Sequence, residues 1–218
     1  YTSEAVKLRE FGIKKPILVF HPQAENLSNV IKHNLIPTLY SFKMLEFFKD
    51  TVSREKVKNY PVHLKINTGL NRIGFSTQDV NRLINSINND NFIKVDGIYS
   101  HLSSSEDKLE FDFTQKQISL FTKTFKKIIK NISDKPLVHI CNTSGVINFP
   151  DAHFDMVRCG IGIYGFSNKL TKSKSLIPVV SLKSSISQIH LINKGESVGY
   201  NRSYIAETTK KIGTIPLG

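Results

Sequence analysis

Six short runs of apolar or alternating residues recur along this chain, each separated from the next by a segment with helical spacing, and that alternation limits what it can fold into. The runs are residues 16–20, 36–41, 61–67, 94–102, 137–142 and 155–165. Ahead of them, Ala5, Leu8 and Phe11 share one helical face, with Ser3 placed to cap it and Gly12 to end it. Residues 26–34 and the cluster Met44, Leu45, Phe47 and Phe48 mark two more helices. Ser76 is placed to cap a helix whose buried face carries Val80, Leu83, Ile84 and Ile87. A longer helix is set by Phe113, Gln117, Leu120, Phe121, Phe125 and Ile128, with lysines on its outer side, and residues 144–147 read as a short helical turn. Strands alternating with helices predict an α/β fold, a parallel sheet wound with helices. A closed barrel of this kind needs eight strands, and six are counted.

From residue 176 the texture changes: residues 179–192 and 211–216 alternate as strands with no helix between them. The sequence therefore predicts a barrel-type domain over 1–175 and the beginning of a β-rich domain over 176–218. The chain opens on Tyr1 rather than Met and stops in the middle of the β pattern, so neither end is expected to be a natural one.

A 39% hydrophobic content is enough for a real core. The formal charge of +12 is spread over amphipathic segments, with no basic block interleaved with stacking aromatics, which argues against nucleic acid as a partner. Two cysteines, Cys141 and Cys159, make no disulfide framework and lack zinc-site spacing. No apolar run is long enough to span a membrane, and the first ten residues are charged rather than a signal peptide. A cytoplasmic location is expected.

In a sheet of parallel strands, working groups gather where strands run into their following loops. Four such places are rich in chemistry. Residues 64–75 (LKINTGLNRIGF) hold Lys65, Asn67, Thr68 and Arg72 around a glycine turn; residues 97–107 (GIYSHLSSSED) hold His101; residues 139–145 (HICNTSG) hold His139, Asn142, Thr143 and Ser144; residues 156–165 (MVRCGIGIYG) hold Arg158 and the amides around Gly160 and Ile161. Each alone has a plain structural explanation: a hydrogen-bonded histidine, an arginine paired with a surface carboxylate, an ordinary helix cap. Together, hydroxyls and free amides at turns can bind a phosphate, and a nearby arginine can address the rest of an anionic ligand. That combination suggests a phosphorylated cofactor. The seven histidines show no paired ligand spacing, so no metal is expected, and neither a GxSxG elbow nor a P-loop occurs.

The run KINTGLNRIGF is similar to the alanine racemase motif K-x-D-T-G-M-x-R-x-G, and GIYSHLSSSED to that family's G-x-x-T-H-x-x-x-A-D/E. HICNTSGVINFP resembles its H-x-A-N-S-A segment, DMVRCGIGIYG its V-R-P-G-I-x-x-Y-G segment, and GESVGYNRSYIA its G-x-x-V-x-Y-x-x-x-x-x-A run. Five motifs in the family's order cover most of the chain. The resemblance implies a (β/α)8 TIM-type barrel missing its first two strands, followed by the start of a β-rich C-terminal domain. It implies pyridoxal 5'-phosphate as cofactor, L- and D-alanine as substrates, D-alanine supply for peptidoglycan as the role, and a homodimer with shared active sites.

By that resemblance, Thr143 would hold the cofactor phosphate, helped by Asn142 and the amides of Gly160 and Ile161. Arg158 would face the pyridine nitrogen, where a permanent cation disfavours ring protonation. Arg72 would contact the ring hydroxyl and the substrate carboxylate, and Lys65 matches a lysine that is carbamylated in several members. Tyr200 matches one of two catalytic bases, reaching the partner subunit's site, with His101 beside it. Inverting Cα needs acid–base groups on opposite faces, and a phenol of pKa ~10 needs such help. Three positions depart from the family pattern: Asn67 for Asp, Thr143 for Ser, and Cys159 for Pro. Nothing here matches the family's K-A-N-A-Y-G segment with its cofactor lysine, so the 218 residues alone are not expected to racemise alanine. The alternatives are a racemase for another amino acid such as serine, a related decarboxylase, which Arg158 in place of an acid argues against, and a noncatalytic pyridoxal phosphate-binding protein, which the β-like tail and Tyr200 argue against. A further fused domain upstream is left open.

Overall fold

The computed structural model describes residues 1–89, 91–167 and 176–217. Two compact units emerge, Tyr1–Ile177 and Pro178–Gly218. The domain boundary expected at residue 175 falls in the stretch 168–175, outside the described residues.

The first unit follows the expected alternation: α1 (Thr2–Glu10), β1 (Leu18–Val19), α2 (Leu27–Lys32), β2 (Ile36–Leu39), α3 (Phe42–Arg54), β3 (Tyr60–Asn67), β4 (Phe75–Ser76), α4 (Val80–Asn88), β5 (Ile93–Tyr99), α5 (Phe111–Lys130), β6 (Leu137–His139) and α6 (Thr143–Asn148). The strands form one sheet in the order β1-β2-β3-β5-β6, with the short β4 paired to β3, and every pairing is parallel. Along the path β1-β2-β3-β5-β6 each strand is laid beside the last by an intervening helix, as a parallel crossover requires, while β4 follows β3 after a loop.

Alternation along the strands sorts chemistry by face. Val62, Leu64, Ile66, Ile98 and Val138 are buried in the hydrophobic core, which the helices complete with Leu45, Phe48, Leu83, Ile84, Phe121 and Ile128. The opposite face is polar: His63 and Lys65 on β3, Tyr99 on β5 and His139 on β6. Register puts Lys65, Tyr99 and His139 side by side in one row. A shift between Val62 and His63 skips Asp96 and sets His63 opposite Gly97.

Several local expectations are corrected. Ser3 lies inside α1 rather than capping it, and of the supposed buried face only Ala5 is buried, Leu8 and Phe11 being exposed. Gly12 does end the helix: at φ +85 it lets its amide bond Arg9 O while Ile13 bonds Leu8 O. Phe113 and Leu120 of α5 and Phe47 of α3 are likewise partly exposed. The sixth strand expected over 155–165 is absent among the described residues. Asp155 and Arg158 donate backbone bonds to Val138 and Cys141, too sparse a pattern for a ladder, and Ile161–Tyr164 form a 3-10 turn. Strand ends also come earlier than expected, so His101 and Asn142 stand in the loops beyond β5 and β6.

The second unit contains two antiparallel pairs, β7 (Gln188–Ile192) with β10 (Lys210–Thr214) and β8 (Ser197–Val198) with β9 (Tyr204–Ile205). Residues 179–187, expected to be strand, lie outside any ladder.

Candidate functional site

At the carboxyl ends of the strands opens a cavity of about 800 Å³, lined by Phe20, Lys65, Arg72, Tyr99, His101, Asn142, Thr143, Arg158, Gly160 and Ile161 among others. Of the residues singled out in the sequence, Lys65, Arg72, His101, Asn142, Thr143, Ser144, Arg158, Gly160 and Ile161 line it, whereas Asn67, Thr68 and His139 do not. Tyr200 begins a one-turn 3-10 segment of the second unit and is 99% exposed.

Arg158 organises the floor. One end of its guanidinium bonds His139 Nδ1; the other donates to Ser100 O (2.8 Å), Ile140 O (3.2 Å) and His101 Nδ1 (3.3 Å). A guanidinium only donates, so both imidazoles must present lone pairs at Nδ1. His139 therefore carries its proton on Nε2 and donates it to His63 Nδ1, 3.0 Å away. Burial, with the Arg158 charge added, pushes the His139 pKa down to about 2 and that of His101 to about 4. His63, lowered chiefly by burial, also lies at about 4. Burial lowers Arg158 itself only to about 10, so at neutral pH the arginine is charged and its imidazoles are neutral. Among the described residues Arg158 Nε has no partner, which leaves one N–H of a held cation free for a ligand.

Tyr99 ties this floor together. Its ring stacks on His139 at 4.8 Å and 6°, its hydroxyl bonds Thr38 at 3.0 Å, and Arg158 and Lys65 lie 5.0 and 5.6 Å from its centroid. Lys65 is 5% exposed. Burial, then the charges of Arg72 and Arg158, lower its pKa to about 8. Arg72 is exposed at the cavity wall, with no ion pair among the described residues. Three cations facing one cavity make it a site for an anion.

The loop carrying Arg72 is held by Asn67, whose Oδ1 accepts from the amides of Gly69 (3.1 Å) and Asn71 (3.0 Å) and whose Nδ2 donates to Asn71 Oδ1 (2.9 Å). Gly74 closes the turn at φ +133, where a Cβ would lie 2.7 Å from the Asn67 amide nitrogen.

Opposite stands the hydroxyl of Thr143. Its Oγ1 accepts from the amides of Gly160 (2.9 Å) and Gly162 (3.2 Å), so both lone pairs are engaged and its own proton is left to donate. The Gly160 amide is thus spent on Thr143 rather than offered to a ligand. Asn142 also works mainly as scaffold: its Oδ1 accepts from Ser105 Oγ (2.8 Å) and Gly145 N (2.9 Å), and Nδ2 donates to Leu102 O (3.3 Å).

The sequence profile described as alanine racemase, N-terminal domain, matches residues 1–168, and that of the alanine racemase C-terminal domain matches residues 179–218. The chain belongs to the alanine racemase family. It is 34% identical over 218 residues to an alanine racemase of Thermodesulfovibrio yellowstonii, covering 100% of this chain and 56% of that protein. A Treponema denticola alanine racemase is also 34% identical, over 220 residues, 99% of this chain and 58% of that one. Among solved structures, alanine racemase of Clostridium difficile 630 superposes with a TM-score of 0.78 at 26% identity, over 100% of this chain and 57% of the other. The chain spans little more than half the length of these relatives. The parallel sheet is accordingly an arc of a TIM-type barrel, followed by the start of the β-rich C-terminal domain.

Two of the three departures from the alanine racemase pattern acquire a physical account. Asn67 keeps the acceptor that the loop amides need, and its side chain is turned into the loop. The extra methyl of Thr143 packs against Gly162, where a Cβ would meet it at 2.8 Å. Cys159 is exposed at the cavity edge, and nothing in the structure explains its replacing the family's proline.

Motif reading missed His63, Tyr99 and Phe20. The alternation of residues 61–67 did carry a signal for His63, since it shares a face with Lys65.

Proposed function

We propose that this chain supplies most of the site of a pyridoxal 5'-phosphate-dependent isomerase that interconverts L- and D-alanine, a cytoplasmic enzyme providing D-alanine for peptidoglycan. The observation that carries the reading is Arg158: a cation fixed by two neutral histidines and two backbone carbonyls, with Nε–H unspent. A group held that firmly suits the unprotonated nitrogen of a pyridine ring.

The residues fit the cofactor. Thr143 would donate its free proton to the phosphate, with the Ile161 amide beside it. Arg158 would donate Nε–H to the ring nitrogen and, being permanently charged, keep that nitrogen unprotonated. When bound, pyridoxal phosphate supplies an electron-withdrawing ring that acidifies the substrate Cα–H. Keeping the nitrogen unprotonated moderates that withdrawal, which suits a reaction that returns the proton at once.

Arg72 would take the substrate carboxylate in its fork of donors. Lys65 is proposed to be carbamylated: its lowered pKa leaves free amine near neutrality, Nζ attacks the carbon of CO2, and one proton goes to solvent. The resulting anion would neutralise charge between Arg72 and Arg158 and orient Arg72. Tyr200 would hold or release the proton on one face of Cα in the partner subunit's site, aided by the Nε2–H of His101, which has no partner among the described residues. The opposite face needs a second acid–base group.

The test is subunit complementation in the full-length protein. Wild type should bind pyridoxal phosphate and convert L- to D-alanine, while Tyr200→Phe and Arg72→Ala should each lose at least about 100-fold in rate, as expected for a missing acid–base group. Mixed dimers of the two variants should regain activity, since one of their two sites combines an intact barrel with an intact tyrosine. Mixtures that stay inactive would sink the shared site, and turnover of serine but not alanine would sink the substrate.

A further inference from the structure

We infer that Gln117 of α5 is a positioning residue for the site, its carboxamide fixing the loop that carries His101 and backing the loop that carries Arg72. This rests on the function proposed above and extends it to a residue outside all five motifs. Gln117 takes a place on the buried face of the helix, with Phe121, Phe125 and Ile128, and is 1% exposed. An amide at that depth needs its polar atoms paired, and its partners lie off the helix. Oε1 accepts from the Ser103 amide (3.1 Å) and the Ser103 hydroxyl (3.2 Å), and Nε2 donates a longer bond to His101 O (3.5 Å). The Ser103 N–H can only donate, which settles which end of the carboxamide faces it.

These three bonds bracket Leu102, a buried residue whose carbonyl accepts from Asn142 Nδ2 on the β6 side. Further along, Ser105 donates to Asn142 Oδ1 (2.8 Å) and its carbonyl accepts from Asn148 Nδ2 (2.8 Å). The far end of the loop is thus anchored without Gln117, while the backbone on both sides of Leu102 depends on it. The His101 ring receives a 3.3 Å bond from Arg158, and the rest of its placement follows the backbone that the amide fixes. On its other side Gln117 meets the loop after β3. A Cβ built on Gly69, at φ +128, would stand 3.4 Å from Gln117 Nε2 and 3.7 Å from its Cγ. One side chain therefore sets the spacing between the loop of the proposed carboxylate fork and the loop of the histidine proposed to aid Tyr200. Loss of the amide should loosen His101 without releasing the chain around it.

The experiment compares full-length wild type, Gln117→Met, Gln117→Asn and Gln117→Glu in steady-state racemisation of L-alanine and in pyridoxal 5'-phosphate affinity. Methionine keeps an unbranched side chain against Gly69 but removes the acceptor of the Ser103 amide. Asparagine keeps the carboxamide and draws it back by one carbon, and glutamate keeps the acceptor in place. A buried amide left unpaired predicts a kcat about ten-fold lower in Gln117→Met and Gln117→Asn and within about three-fold of wild type in Gln117→Glu, with KM and cofactor affinity within about two-fold throughout. If the methionine variant does not fold, the asparagine variant carries the same prediction. Wild-type kcat in the methionine and asparagine variants overturns the inference and leaves the function reading intact. So does a loss that glutamate fails to rescue, or one in which cofactor affinity falls in step with kcat, since either would report a general disturbance of packing. A wild type that does not interconvert L- and D-alanine overturns the function reading and this inference with it.

Discussion

Thr143 carries one methyl more than the serine common in its family, and its hydroxyl still does two jobs. It accepts from Gly160 and Gly162 and retains a proton for an anion. Thr143→Ser should therefore keep cofactor affinity close to wild type, while Thr143→Ala strands two amides and removes a charge-assisted donor. Hydrogen bonds to charged groups are worth about 1.5–3 kcal/mol, so the alanine variant should bind pyridoxal phosphate about 10- to 100-fold more weakly in a spectrophotometric titration. Unchanged affinity would mean that the phosphate is held elsewhere. At this scale the sequence was informative about residue type: Arg158, Thr143, Lys65 and Arg72 were all visible in the four polar runs expected at strand ends. Which of their donors remain free was not visible. That depends on partners such as Ser100, Ile140 and His139, brought in by other strands.

Among elements, the pairing of β3 with β5 governs the site. The register shift at His63 places its ring over Gly97, where a Cβ would lie 2.4 Å from the ring. Gly97→Ala must push His63 aside and with it the bond to His139. Overpacking of this kind costs about 1–3 kcal/mol, to be read as a lower denaturant midpoint. Combining it with His63→Ala should restore part of the loss, and additive losses would exclude the contact as the cause. Helix positions were well predicted where one face is fully covered, as in α4, whose four expected residues are all buried. They were poorly predicted in α1, where Leu8 and Phe11 share a face with Ala5 but only Ala5 meets the core. Periodicity says which residues can face a neighbour, not how far the neighbour extends. The same limit applies to residues 155–165, whose apolar composition suits a strand although only two backbone bonds join them to residues 138 and 141.

For the whole molecule, acid is the sensitive variable. Unfolded histidines titrate near 6.5, whereas in the folded chain His63 and His101 sit at about 4 and His139 at about 2. The unfolded state therefore binds more protons below pH 6.5. The stability these residues contribute is fully present above that value and drains away as the pH falls towards 4. For His63 alone the drain is roughly 3 kcal/mol. Urea midpoints at pH 7.5 and 4.5 should differ accordingly, and a flat profile would contradict neutral buried imidazoles.

The sequence by itself determined the winding of strands and helices, the order of the family's motifs and the kinds of side chain at the strand ends. Each of these is written in local spacing, which survives in the unfolded chain. Only the tertiary structure decided that Lys65, Tyr99 and His139 stand in one row and that Arg158 forces two imidazoles into a single tautomer. Those outcomes depend on register and burial between residues tens of positions apart, and such contacts exist only once the sheet has formed.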